Sequence, residues 1–411
     1  MRPSSTSKLR RRVVALALLA LARAPAAHAD FEPKITPGLL LDLRLQRPSQ
    51  ELITEDGGYG KGPAGRRGDA SQGDLWRAEE VSLLAHAQLA APVMASVHLQ
   101  SVEGELLDVV EGFVRYRPVS TSRVRWGLKA GAFFPALSFE NEGIAWSNLY
   151  TLTNSAANTW VAEEVRTIGL EAQLEIRGRE WNTLLTLGPA FANDASGLAL
   201  AYRGFVFNDR NVGMFGEVSV PGSPMRAPME VRPFEEIDDR PGVVASLHAE
   251  RRAATRLSLT YFDTRGDVSV LSPEGMRAWA TRFWNLSAEQ PLPGGLLLVS
   301  QLMAVEAYTA PLASPDIAIG TEFLTSSALL AWQPRRWELA LRGEYFRQRD
   351  INATWPTRFG EVGFALTSAV SYHGFDHLRL TLEYLAVRAD RDDRAERLVD
   401  DVVQVGVRAF F

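Results

Sequence analysis

From Asp401 to Phe411 the chain alternates strictly. Val403, Val405, Val407, Ala409 and the terminal Phe411 interleave with Gln404, Gly406, Arg408 and Phe410. Side chains on a β-strand point to opposite faces with a period of two. One face of this segment is therefore apolar to its last residue, while the other carries the polar groups.

The same pattern recurs along the chain. Leu39, Leu41, Leu43 and Leu45 oppose Asp42, Arg44 and Gln46; Ile168, Leu170, Ala172, Leu174 and Ile176 oppose Glu171, Gln173, Glu175 and Arg177. Further runs start near Val81, Val93, Val124, Leu257, Trp337 and Leu378. Strands of soluble sandwiches are mostly about five or six residues long. These run to about ten, the length a tilted membrane strand requires. No segment after residue 29 approaches about 18 consecutive apolar residues, which argues against a transmembrane helix. In a barrel only every second residue meets lipid, so overall composition stays that of a soluble protein. The pattern predicts an all-β fold: a single transmembrane antiparallel β-barrel.

Connections alternate as well. Short links are expected at 90–92, 118–121, 178–180, 252–254, 291–295, 333–335 and 373–375, and longer ones at 47–80, 133–164, 263–276, 306–317, 348–360 and 388–400. Outer-membrane barrels have short periplasmic turns and long extracellular loops. Alternation blurs at 207–241, where 212–220 reads as a strand or as loop, so the expected count is 16 to 18, with 16 favoured. Tyr116, Trp126, Trp181, Trp332, Trp337 and Tyr372 all lie within a few residues of a short link. Such rings favour the membrane interface, where one edge is buried and the polar atom stays wet.

The start of the chain reads as an export signal. Lys8 and Arg10 to Arg12 precede ten apolar residues, Val13 to Ala22, and Ala27-His28-Ala29 supplies small residues for cleavage. The expected organisation is a signal peptide at 1–29 and one barrel domain at 30–411. The mature part would hold 38 basic and 49 acidic residues, a formal charge of −11. An acidic surface of this kind argues against nucleic acid as a partner. There is no cysteine, hence neither a disulfide nor a thiolate metal site.

A strand with one greasy face, one wet face and a terminal Phe resembles the way outer-membrane β-barrels of Gram-negative bacteria end. Localisation in that membrane, contact with its lipid and lipopolysaccharide, and delivery by the barrel-assembly machinery through Phe411 are what the resemblance implies. A second likeness is narrower. Gly131, Phe133, Pro135, Ser138 and Glu140 resemble a Gly-x-Phe-x-Pro…Ser-x-Glu stretch of the phosphate-selective (O/P-type) porin family, and Ala278 to Leu286 looks like a strand of the same group. In such porins a long loop after a strand of this kind folds into the lumen and narrows it, and homotrimers are frequent. The resemblance thus implies an inward loop at 139–164, with Glu140, Glu142, Glu163 and Glu164 facing the basic stripe Arg115, Arg117, Arg123, Arg125 and Lys129. Phosphate selectivity in the family rests on lysines. This chain has three after residue 29 (Lys34, Lys61, Lys129), and the loop is acidic, so phosphate specificity is not carried over.

Nothing in the sequence signals catalysis or a cofactor. A Gly-x-Ser-x-Gly elbow and a His-Glu-x-x-His pair are both missing. The acidic run from Asp390 to Asp401 lacks the spacing of an EF-hand and reads as a solvated loop. The Arg-Gly-Asp triplets at 67–69 and 265–267 are ordinary turn chemistry. The expectation is a passive diffusion channel for small hydrophilic solutes or ions. The alternatives are a substrate-specific channel for organic anions or sugars, and an occluded structural or adhesive barrel.

Overall fold

The computed structural model describes residues 31–47, 49, 51–53, 58–64, 76–102, 106–220, 229–251, 254–273, 275–310, 319–350 and 360–411. The expected leader at 1–29 and the first Arg-Gly-Asp triplet lie outside the described residues. In chain order the strands are β1 (Lys34–Arg47), β2 (Trp76–Ala90), β3 (Val93–Val102), β4 (Asp108–Tyr116), β5 (Val124–Phe133), β6 (Thr167–Arg177) and β7 (Trp181–Ala190). Then come β8 (Val218–Val220), β9 (Met229–Val231), β10 (Gly242–Arg251), β11 (Arg256–Asp263), β12 (Ala280–Leu292) and β13 (Leu296–Thr309). The last five are β14 (Ile319–Trp332), β15 (Trp337–Asp350), β16 (Glu361–Phe375), β17 (Leu378–Arg391) and β18 (Leu398–Phe410). Among the described residues two α-helices occur, α1 (Ala156–Glu164) and α2 (Leu198–Arg203), and both belong to connections.

Every strand except β8 and β9 joins one closed antiparallel barrel of 16, in the order of the chain. Closure is made by β1 against β18, from Leu40 opposite Phe410 to Arg47 opposite Val403. Phe411 itself exchanges backbone hydrogen bonds with Leu39, 2.9 and 3.0 Å. The terminal strand that announces the fold is thus the one that seals it. The stretch at 212–220 is not a barrel strand: β8 pairs only with β9, in a small hairpin within the 191–241 connection.

Alternation has the expected physical meaning. In β18, Val403, Val405 and Val407 face outward, while Val402, Gln404, Gly406 and Arg408 are buried inward. Outward leucines, valines and aromatics on nearly every strand make the apolar band of a membrane barrel. At the short-turn end Trp126, Trp332 and Trp337 stand 52%, 43% and 50% exposed on that band. Trp126 packs on Tyr116 at 5.5 Å and Trp337 on Tyr372 at 4.8 Å, cross-strand pairs that steady the rim.

The lumen is filled from the long-loop end. Segments 58–64, 134–166 and 191–214 run inside the wall and are largely buried. Phe134, Leu137, Trp160, Val161, Phe205 and Phe207 from these segments form one apolar cluster with the wall residues Phe262, Phe283, Phe323 and Phe346. The barrel therefore contains a packed core in part of its interior.

Candidate functional site

Segment 134–166 begins where the motif Gly131 to Glu140 leaves β5. Gly131 adopts φ +133, and a Cβ there would collide with the Gly112 carbonyl on β4. Only glycine allows the two strands this close before the chain turns inward. α1 follows, capped by Ser155, whose hydroxyl accepts from Asn158 N. Its nine residues are buried on every side, so no amphipathic stripe marks it in the sequence.

The wall holds this segment mainly by hydrogen bonds from six strands between β11 and β18, besides β4, where Glu111 accepts the Phe134 N–H at 2.9 Å. Thr260 on β11 donates to Ala136 O at 3.1 Å, and Asn285 and Ser287 on β12 both donate to Leu137 O at 2.6 Å. Gln301 on β13 donates to Asn158 Oδ1 at 3.3 Å, and Arg408 on β18 to Asn148 O at 3.1 Å. On β17, Glu383 accepts from the Thr153 hydroxyl at 2.6 Å. Arg342 on β15 is the centre of the array. Its guanidinium donates to Thr153 O and Asn154 O, each at 2.9 Å, and pairs with Glu344 at 2.7 Å and Glu140 at 2.5 Å. Glu344 then accepts the Ala156 N–H at 2.9 Å, setting a carboxylate at the positive end of α1.

The 191–214 segment docks on the other end of α1. Glu164 accepts the Ala199 and Leu200 N–H groups of α2, both at 3.0 Å, and burial pushes its carboxyl up to about 7. Glu163 pairs with Arg203 of α2 and accepts from Asn208 at 2.9 Å. Arg166 has no carboxylate in contact among the described residues. It donates to five backbone carbonyls, including Val161, Ala162 and Val165 at the end of α1, and stacks on Phe134. Lys61 of the first connection completes the packing: its ammonium, fully buried, pairs with Glu361 at 2.8 Å and donates to Arg203 O at 3.0 Å. Asp209 is held by Arg44 at the β1–β18 seam, 2.7 Å, where Arg44 and Arg408 also share Asp42.

The opposite wall is different. Between the segment and β4 to β7, β10 and β11, at the short-turn end, lies a cavity of about 390 Å³. Arg115, Arg117, Arg125 and Arg256 line it together with Glu142, Glu175 and Glu250. Some of these are paired: Arg117 with Glu175, and Arg256 with Glu142 and, at 3.2 Å, with Glu289. Arg115 and Arg125 have no carboxylate partner among the described residues; Arg115 reaches the Met94 sulfur at 3.7 Å, and Arg125 the Ser122 carbonyl at 3.4 Å.

The sequence-derived stripe is thus split. Arg115, Arg117 and Arg125 come together at the cavity with Glu142. Arg123 is exposed at the turn and does not line this cavity, while the Lys129 ammonium sits on the rings of Phe133 and Phe113, 3.7 and 4.2 Å away. Glu140, Glu163 and Glu164 do not face the stripe. They turn to Arg342, Arg203 and α2, because each is buried beside a stronger donor there. Arg342 and Arg408 were legible as wet-face residues; their partners, far away in the chain, were not.

No family model matches the chain, and no curated protein matches it in sequence. Among solved structures the barrel is similar to the outer membrane channel DcaP of Acinetobacter baumannii, with a TM-score of 0.56 at 8% identity, over 94% of this chain and 100% of that one. It is also similar to OmpT, an outer membrane protein of Vibrio cholerae. A loop-deletion form of OmpT gives a TM-score of 0.52 at 9% identity (92% and 99% of the two chains), and a trimer form 0.51 at 8% (93% and 100%). These likenesses carry the fold alone: a closed antiparallel β-barrel of the kind these outer-membrane proteins have.

Proposed function

We propose that this chain is an outer-membrane diffusion channel for small hydrophilic solutes, laid out like the O/P-type porins but without their phosphate specificity. Segment 134–166 constricts the lumen, and solutes pass between it and the β4–β7 wall. The observation that supports this most is the asymmetry of the lumen. One side of the inserted segment is hydrogen-bonded to six strands, and the other borders a charged cavity.

Charge at the cavity leans positive, because four arginines line it against the three carboxylates Glu142, Glu175 and Glu250, two of which are held by Arg117 and Arg256. A charged aperture sets ion preference by its field, so anions pass more readily than cations. The apolar cluster around Phe205 and Phe207 restricts the long-loop side, which favours a narrow channel with small conductance steps. That cluster also supports the occluded-barrel reading, and single-channel recording separates the two: an occluded barrel gives no steps. A homotrimer, on the pattern of the related fold, is tested by cross-linking in detergent.

A further inference from the structure

The 191–241 connection brings the Asp194 carboxylate together with those of Glu236 and Asp238, which lie far along the chain from it. Oxygens of Asp194, Glu236 and Asp238 all lie within 4.8 Å of one another. The chain holds them there with its own backbone. Asp194 Oδ2 accepts from Ile237 N at 2.6 Å and Asp238 N at 3.0 Å, and Glu236 Oε2 accepts from Ala192 N at 2.7 Å. Glu236 is only 7% exposed, and its second oxygen, Oε1, is buried with no hydrogen-bond donor among the described residues. A buried carboxylate oxygen without a donor is costly. Arg240, the nearest cation along the chain, is committed to Asp267 at 2.6 Å.

We propose that Asp194, Glu236 and Asp238 bind a divalent cation of the calcium type. The donors are all oxygen, which suits calcium, magnesium or manganese rather than zinc or copper. They sit on irregular loop backbone, and calcium accepts irregular oxygen shells more readily than magnesium does. Bound there, the ion joins two connections at the long-loop end. The Trp279 N–H donates to Asp194 O at 2.7 Å, and Asp238 accepts from Asp267 N, so the site straddles 191–241 and 264–279. It thereby anchors the connection that carries α2 into the lumen.

The test uses refolded protein comprising residues 30–411 and terbium luminescence sensitised by Trp279. One saturable class of sites, displaced by calcium at lower concentration than by magnesium, is the expected result. Glu236→Gln should weaken binding by about tenfold or more, whereas Asp392→Asn with Asp393→Asn, in the other acidic run, should leave it unchanged. Unchanged affinity in Glu236→Gln, or no calcium-displaceable signal up to about 10 mM, above the weakest range for extracellular modules, overturns the proposal. If Glu236→Gln does not refold, calcium must raise the wild-type melting temperature at constant ionic strength with one ion per chain; no rise overturns it.

Discussion

The wall from β11 to β18 and the wall from β4 to β7 are built on the same alternation, yet their inward charges serve opposite ends. On the first, Arg342, Arg408, Glu344 and Glu383 are buried and occupied with the backbone of 134–166. On the second, Arg115 and Arg125 remain in a cavity, unmatched by acid among the described residues. The difference comes from what lies opposite each residue, not from the residue type. A guanidinium has five donors in a fixed fork, suited to clamping carbonyls where a loop is seated and to attracting anions where none is. The first wall therefore supplies most of the hydrogen bonds that seat the loop, while the second supplies few, Glu111 accepting the Phe134 N–H among them, and borders the charged cavity.

The comparison breaks most visibly at Arg342. Arg342→Ala removes the clamp and leaves Glu140 and Glu344 buried without their cation, a loss of about 3–5 kcal/mol. A large fall in melting temperature is expected, with wider and noisier conductance steps as 134–166 leaves its seat. Unchanged steps and stability would show that the segment is held by its apolar packing alone.

A second effect is smaller and depends on pH. Glu164 is held up to about 7 against an ordinary 4.5. Between those values the folded protein keeps a proton that the unfolded chain has lost, so stability falls as pH rises through the window. The fall is at most roughly 3 kcal/mol. Melting curves from pH 4.5 to 8 check it: Glu164→Gln should be flatter than wild type over that range. Parallel curves would exclude Glu164 as the titrating group.

How much of this was legible in the sequence follows from the range of each signal. Alternation is local, so β1, β6, β17 and β18 could be read directly, as could the girdle around Trp126 and Trp337. A three-residue strand such as β8 is too short to show a period, which is why 212–220 stayed ambiguous. α1 was invisible for another reason: a helix buried all round has no polar face to reveal its period. Glu142 was set opposite the stripe only by the family resemblance; in the structure it pairs with Arg256 and lines the same cavity as Arg115, Arg117 and Arg125. Glu140 could not be placed from the sequence, since its partner Arg342 comes 202 residues later. The carboxylate cluster at Asp194 and Glu236 was hidden likewise, because 42 residues separate its members without a motif and only the folded connection joins them.

The smallest effect on stability should come from the open wall. Replacing Arg115 and Arg125 together by Gln removes two cations bonded to little else, and the melting temperature should shift by no more than about 0.5 kcal/mol equivalent. Ion preference should move toward cations. A marked loss of stability would mean that these arginines also hold the fold.

The most direct test of the account is planar-bilayer recording from refolded protein comprising residues 30–411 in a salt gradient. Discrete, small ohmic steps with a reversal potential of anion-preferring sign are predicted. A heat-modifiable, correctly folded barrel that gives no steps would contradict the open β4–β7 wall and establish an occluded lumen.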